Sequence, residues 1–221
     1  MDHCSFSFHP ISLSYHKACR DLAVQTSYVK QIRDYNIRQA WPLKGKSALL
    51  VCDMQCYFAS IAQPILGNVI SIIECFRANK GKILFTRHGH RDPKTDGGML
   101  GRWWGDLILY GSKEWELIDG LPLQVLDTII DKNRYSAFLG TELDSLLQNA
   151  GIEDLIITGV LTTCCCETTA RDAFMRDYRV FFVADAAAAP TEELHLASLK
   201  NLAYGSAYVV TTRDLCNKLN K

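Results

Sequence analysis

The 221 residues carry 24 Lys and Arg against 24 Asp and Glu, so the formal net charge is zero, and 48% of the chain is apolar. That length suits one domain with a full core, and the composition excludes disorder. Zero net charge gives no long-range attraction for a nucleic-acid backbone or an anionic membrane, so neither is expected as a partner. Nine cysteines, three of them consecutive (Cys164, Cys165, Cys166), cannot form an all-paired secreted framework, and point to a reducing compartment.

The opening residues include Asp2 and lack an apolar core, so they read neither as a signal peptide nor as a transit peptide. No apolar run in the sequence suggests a membrane span, which predicts a cytoplasmic chain. Residues 1–44 read as an accessory segment with a helix from His16 to Arg38, closed by Trp41-Pro42; residues 45–221 read as the main domain. SALLVCD (47–53) is a continuous apolar run, the mark of a strand buried on both faces. Residues 67–80 have helical spacing, with Gly81 as the expected cap, and KILFTR (82–87) is a second strand. A polar, Gly-rich stretch, His88 to Gly120, interrupts the rhythm.

Alternation resumes with strands at 125–131, 154–160, 179–185 and 207–212. Helices are expected at Thr141–Ala150, Cys165–Asp177 and Glu192–Tyr204. This pattern predicts an α/β three-layer sandwich: a six-stranded, mainly parallel sheet with helices on both faces. Sites in such sheets lie at the carboxyl ends of strands. Asp53 ends the first strand, Asp131-Lys132 the third, and the fourth runs into Cys164-Cys165. A cysteine opening a helix has its thiol pKa lowered by the amides and macrodipole. A carboxylate could take and return its proton, while a lysine supports the thiolate. Consecutive cysteines on a helix start point in different directions, so one ion cannot be shared among them.

Three ordered blocks, ALLVCDMQCYF (48–58), DKNRYSAFLGTEL (131–143) and GVLTTCCCETTARDA (159–173), resemble the signature blocks of the isochorismatase-like cysteine hydrolases. The resemblance spans residues 47 to about 212 and leaves the N-terminal 44 outside it. It implies Asp53 as general acid/base, Lys132 as the lysine of a triad and Cys165 as nucleophile. Cys166 replaces the family's usual valine. It also implies a cis peptide at Val160–Leu161, with the amides of Leu161 and Cys165 receiving an oxyanion. Phe58 resembles an aromatic pocket wall.

The family includes vinyl-ether hydrolases, which generally lack the nucleophilic cysteine, and amidases, which use it. The presence of Cys165 therefore favours an amide C–N hydrolase working through a thioester. The stretch DGGMLGRWWGDLI (96–108) resembles the metal-free branch that includes plant-type nicotinamidases, so no cofactor is expected and nicotinamide is the leading substrate. Arg87, Trp103 and Trp104 could hold a flat or anionic ring. His88 and His90 alternate and are weak metal candidates, at a spacing that departs from the metal-binding branch. A vinyl-ether hydrolase and a non-catalytic binding member are the alternatives. The resemblance further implies a homo-oligomer, a dimer or tetramer.

Overall fold

The computed structural model describes residues 28–220. Cys4, Cys19 and the first part of the His16–Arg38 helix lie outside them; within them, helical turns cover only residues 28–31 of that span. Six strands form one sheet: β1 (Ser47–Cys52), β2 (Lys82–His88), β3 (Thr128–Lys132), β4 (Asp154–Val160), β5 (Arg179–Ala188) and β6 (Tyr208–Val210). Their order is β3-β2-β1-β4-β5-β6, and every pairing is parallel.

The apolar runs that predict two-sided burial divide by alternation. Ala48, Leu50 and Cys52 join one core, while Leu49 and Val51 join the other. Helices α4 (Leu143–Asn149), α5 (Glu167–Phe174) and α6 (Glu192–Gly205) cover the first face. Helices α1 (Leu66–Ala78) and α7 (Thr212–Leu219) cover the second. Each fully buried Leu, Ile or Phe contributes about 1.5–3 kcal/mol of transfer free energy. Ile32, Tyr28 and Val29 pack into the first core and Trp41 against the second, so residues from the N-terminal segment contribute to both layers.

Several boundaries differ from expectation. Residues 124–127 form a turn rather than the start of β3, because Arg77 grips Asp127 with two hydrogen bonds at 3.0 and 2.6 Å. Val125 and Leu126 are left fully exposed. The last strand stops at Val210, and Thr211 caps α7 by accepting from the Asp214 amide at 3.1 Å. The helix expected from Cys165 is preceded by a π-turn, Thr162–Cys166, and α5 starts only at Glu167. The polar stretch contains two short helices, α2 (Pro93–Asp96) and α3 (Gly98–Trp104).

At the end of α1 the left-handed residue is Lys80 (φ 55°), and Gly81 follows it, donating to the Phe76 carbonyl at 2.8 Å. Glycine is needed there because a Cβ would sit 2.6 Å from the Phe76 ring. The helical run Cys56–Ala78 is, by length and composition alone, apolar enough to cross a membrane, contrary to the expectation that no such run exists. It begins as three short turns, and α1 buries Val69, Ile72, Ile73 and Phe76 against the sheet as a core helix.

Candidate active site

Strand β1 sits between β2 and β4, so the chain's path across the sheet reverses there. The connections leaving the carboxyl ends of β1 and β4 therefore run to helices on opposite faces, α1 and α5, and leave a crevice above those ends. Asp53 leaves β1 with φ 45°, and the Val160–Leu161 peptide at the end of β4 is cis. Gly159 (φ 108°) pairs with Cys52, and a Cβ on it would lie 2.1 Å from the Cys52 carbonyl oxygen. Only glycine lets the two strand ends approach this closely.

Three strand ends converge on one point. Lys132 Nζ lies 2.7 Å from Asp53 Oδ2 and donates to Cys165 Sγ at 3.3 Å and to the Arg134 carbonyl at 3.0 Å. Asp53 is fully buried, and Lys132 and Cys165 are each 4% exposed. Burial, the largest single influence, would raise the Asp53 carboxyl, but the Lys132 ammonium, helped by His88 and by hydrogen bonds from Cys165 and Lys132, outweighs it, and the carboxyl lies below its ordinary value. Burial alone would also discharge Lys132, and above all the Asp53 carboxylate reverses that, keeping it an ammonium.

The Cys165 thiol departs from expectation. Burial and the Asp53 carboxylate raise its pKa well above the usual value, and Lys132 offsets this only in part. Cys165 also sits in the π-turn rather than in the first turn of an α-helix, so the expected lowering by a helix end is absent. The resting triad is thus a thiol that hydrogen-bonds to a carboxylate, which in turn pairs with an ammonium.

Other side chains hold this arrangement. Thr86 on β2 donates to Asp53 Oδ1 at 2.5 Å and accepts from the Asp53 amide at 3.2 Å. Gln55 bonds both backbone groups of His88, at 2.7 and 2.9 Å, and the Trp115 carbonyl at 2.8 Å, tying the ends of β1 and β2 to the long loop. Ser136 donates to Asp172 at 2.5 Å, and Thr169 accepts from the Ala137 amide at 3.0 Å. These bonds clamp the segment after Lys132 onto α5. Thr86 and Gln55 were not singled out from sequence; a buried polar residue in a strand or beside Asp53 was the only available signal.

The substrate-side expectations fare unevenly. Arg87 points to the sheet face opposite Lys132: it pairs with Asp131 at 2.9 Å and lies 3.5 Å over the Trp115 ring. Its charge is paired there, on the face away from Lys132. Trp103 is 76% exposed. Trp104 donates to the Tyr135 hydroxyl at 2.7 Å, and that hydroxyl hydrogen-bonds to Cys164 next to Cys165, so Trp104 stands at the rim of the site. Phe58 is half-buried against the second core, edge-on to Tyr57.

His88 and His90 do lie together, with ring centroids 5.2 Å apart. His90 Nδ1 is taken by Asp96 at 3.1 Å, and among the described residues no group of three or more His, Cys, Asp or Glu converges as a metal site. His88 lies close enough to the triad to feel Lys132 and Asp53; burial first, and then Lys132, bring its pKa down to about 4. It is a neutral ring beside the triad.

Residues 47–214 match the Isochorismatase domain family. The chain belongs to the isochorismatase family. It is 47% identical over 192 residues to Nicotinamidase 3 of Arabidopsis thaliana, covering 86% of this chain and 94% of that one. Enterobactin synthase component B of Escherichia coli is 34% identical over 177 residues, covering 77% and 62%. Among solved structures, a cysteine hydrolase from Pseudomonas syringae pv. phaseolicola superposes with a TM-score of 0.78 at 27% identity, covering 82% and 96%. The isochorismatase-family fold thus accounts for the sheet order, the crevice and the three strand-end groups together.

Proposed function

We propose that this isochorismatase-family protein is a cysteine-dependent amide hydrolase that converts nicotinamide to nicotinate and ammonia. The observation that carries the reading is the contact triad, Cys165 Sγ to Lys132 Nζ to Asp53 Oδ2, in a chain 47% identical to a nicotinamidase over 86% of its length. Substrate entry lets the Asp53 carboxylate take the thiol proton as Sγ attacks the carboxamide carbon. The oxyanion is received by the Leu161 and Cys165 amides, and Lys132 holds the developing thiolate. Collapse breaks the C–N bond, and the nitrogen leaves as ammonia with the proton from Asp53. Water then attacks the thioester, giving its proton to Asp53, and the carboxylic product leaves as the thiol is restored.

No step uses a cofactor, and no nucleic acid or membrane takes part. The free thiols suit a cytoplasmic location, and a homo-oligomer is the assembly we propose. Ammonia release from nicotinamide, pyrazinamide, carbamoyl amino acids and ureido acids tests the reading, with Cys165→Ala and Cys164→Ala alongside the parent. Turnover of nicotinamide by the parent and Cys164→Ala, and none by Cys165→Ala, is expected. Silence across that panel, with isochorismate turnover that survives Cys165→Ala and is lost in Asp53→Asn, would favour a vinyl-ether hydrolase. Tight ligand binding without any turnover would favour a binding protein.

A further inference from the structure

His195 on α6 is 3% exposed and takes no part in the chemistry above, yet both of its ring nitrogens are engaged. Nε2 lies 3.1 Å from the Ala184 carbonyl oxygen. A carbonyl only accepts, so Nε2 carries the proton. Burial lowers the pKa of this histidine to about 4, which leaves the ring neutral and Nδ1 a bare lone pair. That lone pair faces Thr162 Oγ1 at 2.8 Å, so the threonine hydroxyl donates to it.

Both partners sit at informative places. Thr162 is fully buried and is the first residue of the π-turn that carries Cys165, one residue after the cis peptide Val160–Leu161. Ala184 lies where the register of β5 against β4 breaks: Ile157 pairs with Phe182, but Gly159 pairs with Ala187. The extra β5 residues leave the Ala184 carbonyl without a β4 partner, and His195 supplies one. Thr158 does the same for the Ala186 carbonyl. The Tyr28 ring stands edge-on to the imidazole, with centroids 4.8 Å apart, and fixes its plane.

We propose that His195 is a positioning residue: its neutral, Nε2-protonated ring ties the β5 bulge to Thr162 and so sets where the π-turn holds Cys165 Sγ and the amides beside it. The inference rests on Cys165 being the nucleophile, whichever amide is the substrate. A misplacement of a reacting group by about 1 Å costs about a hundredfold in rate.

The test compares His195→Phe, Thr162→Val, the double variant and Thr162→Ser, using steady-state nicotinamide hydrolysis and mass-spectrometric rates of iodoacetamide alkylation at the Cys165 peptide. His195→Phe keeps a ring and loses both nitrogens; Thr162→Val removes only the hydroxyl and keeps the volume. Both should lower kcat roughly 10- to 100-fold with KM changed less than about threefold. Cys165 alkylation should change by a factor of at least about three in both. The double variant should be no worse than the poorer single, because the two changes remove one interaction, and Thr162→Ser should recover most of kcat.

Folded Thr162→Val with kcat and Cys165 alkylation both within twofold of the parent would overturn the proposal, even if His195→Phe fails to fold. Multiplying effects in the double variant would overturn it as well. A parent that does not turn over nicotinamide would sink the substrate reading alone, since alkylation still reports the position of the thiol. If Cys165→Ala keeps full activity, the nucleophile reading has failed, which is a separate outcome from His195 having no effect on alkylation.

Discussion

Replacing Lys132 with methionine keeps most of the side chain's length and removes its charge. The ammonium lies 2.7 Å from Asp53 Oδ2 and 3.3 Å from Cys165 Sγ, in a site with almost no solvent contact. With an effective dielectric of about 20, a unit charge pair at the second distance is worth about 5 kcal/mol. That is a ceiling, because water and a proton on Asp53 replace part of the lost interaction. A fall in kcat/KM of at least about a thousandfold, roughly 4 kcal/mol, is the expected outcome. The stability change carries a pH signature.

In the parent, the folded-state pKa of Asp53 is depressed, so its contribution is present above the unfolded-state pKa and is lost as pH falls through the folded value. Without Lys132 the burial that opposes ionisation is unbalanced, so the folded pKa rises and the sign reverses. Lys132→Met should then lose stability as pH rises above about 4, until Asp53 is deprotonated in the folded state as well, at the higher pH. Removing one partner of a buried pair costs about 3–5 kcal/mol. Urea unfolding of both proteins at pH 5 and pH 8 checks this, and the gap between them should be wider at pH 8. Equal stability at both pH values, or kcat/KM within tenfold of the parent, would refute the account of the triad.

Thr86→Val should lower kcat about tenfold with little change in KM, because Asp53 loses the hydroxyl that fixes Oδ1 at 2.5 Å. A kcat within twofold of the parent in the folded variant would contradict this. Gly159→Ala places a methyl 2.1 Å from the Cys52 carbonyl at φ 108°, and should cost more than about 3 kcal/mol in urea unfolding together with most of the activity. His88 and His195 both have folded pKa values of about 4, below the usual 6.5. Between those values the unfolded chain binds more protons, so stability should fall with decreasing pH by about 1.4 kcal/mol per unit for each ring. Unfolding at pH 6.5, 5.5 and 4.5 reads the slope, and His195→Phe should halve this part of it.

The sequence made the strands legible because two-sided burial leaves unbroken apolar runs: SALLVC and DLIITGV are observed almost as expected. The three strand-end groups were legible for a related reason, since a parallel sheet gathers the carboxyl ends of its strands at one edge. Tertiary choices were not. Val125 and Leu126 look like strand residues, and the grip of Arg77 on Asp127, fifty residues away in the chain, keeps them out of the sheet. The α7 cap, Thr211 with Asp214, was present as a local signal and was overlooked. The pairing of Arg87 with Asp131 and the exposure of Trp103 were not legible, because the phase of a strand end and the exposure of a loop helix depend on partners that local pattern does not name.

The thiol shows why reading the chemistry took more than identifying the residues. Position at a helix start predicts a lowered pKa, yet Cys165 lies in a π-turn, buried against a carboxylate, and its pKa is raised. A raised thiol pKa is compatible with nucleophilic attack if the proton has somewhere to go when the substrate arrives. In the proposed mechanism Asp53 supplies that place: it is held ionised by Lys132 and accepts a hydrogen bond from the thiol. The pair therefore shares one proton, and transfer to Asp53 keeps the same net charge inside the site while moving the negative charge onto sulfur, 3.3 Å from the ammonium. In the proposed mechanism Lys132 thus does two things with one charge. It keeps Asp53 able to receive the proton, and it stabilises the thiolate that results, so its loss should depress activity more than the Thr86 change, which touches the carboxylate alone.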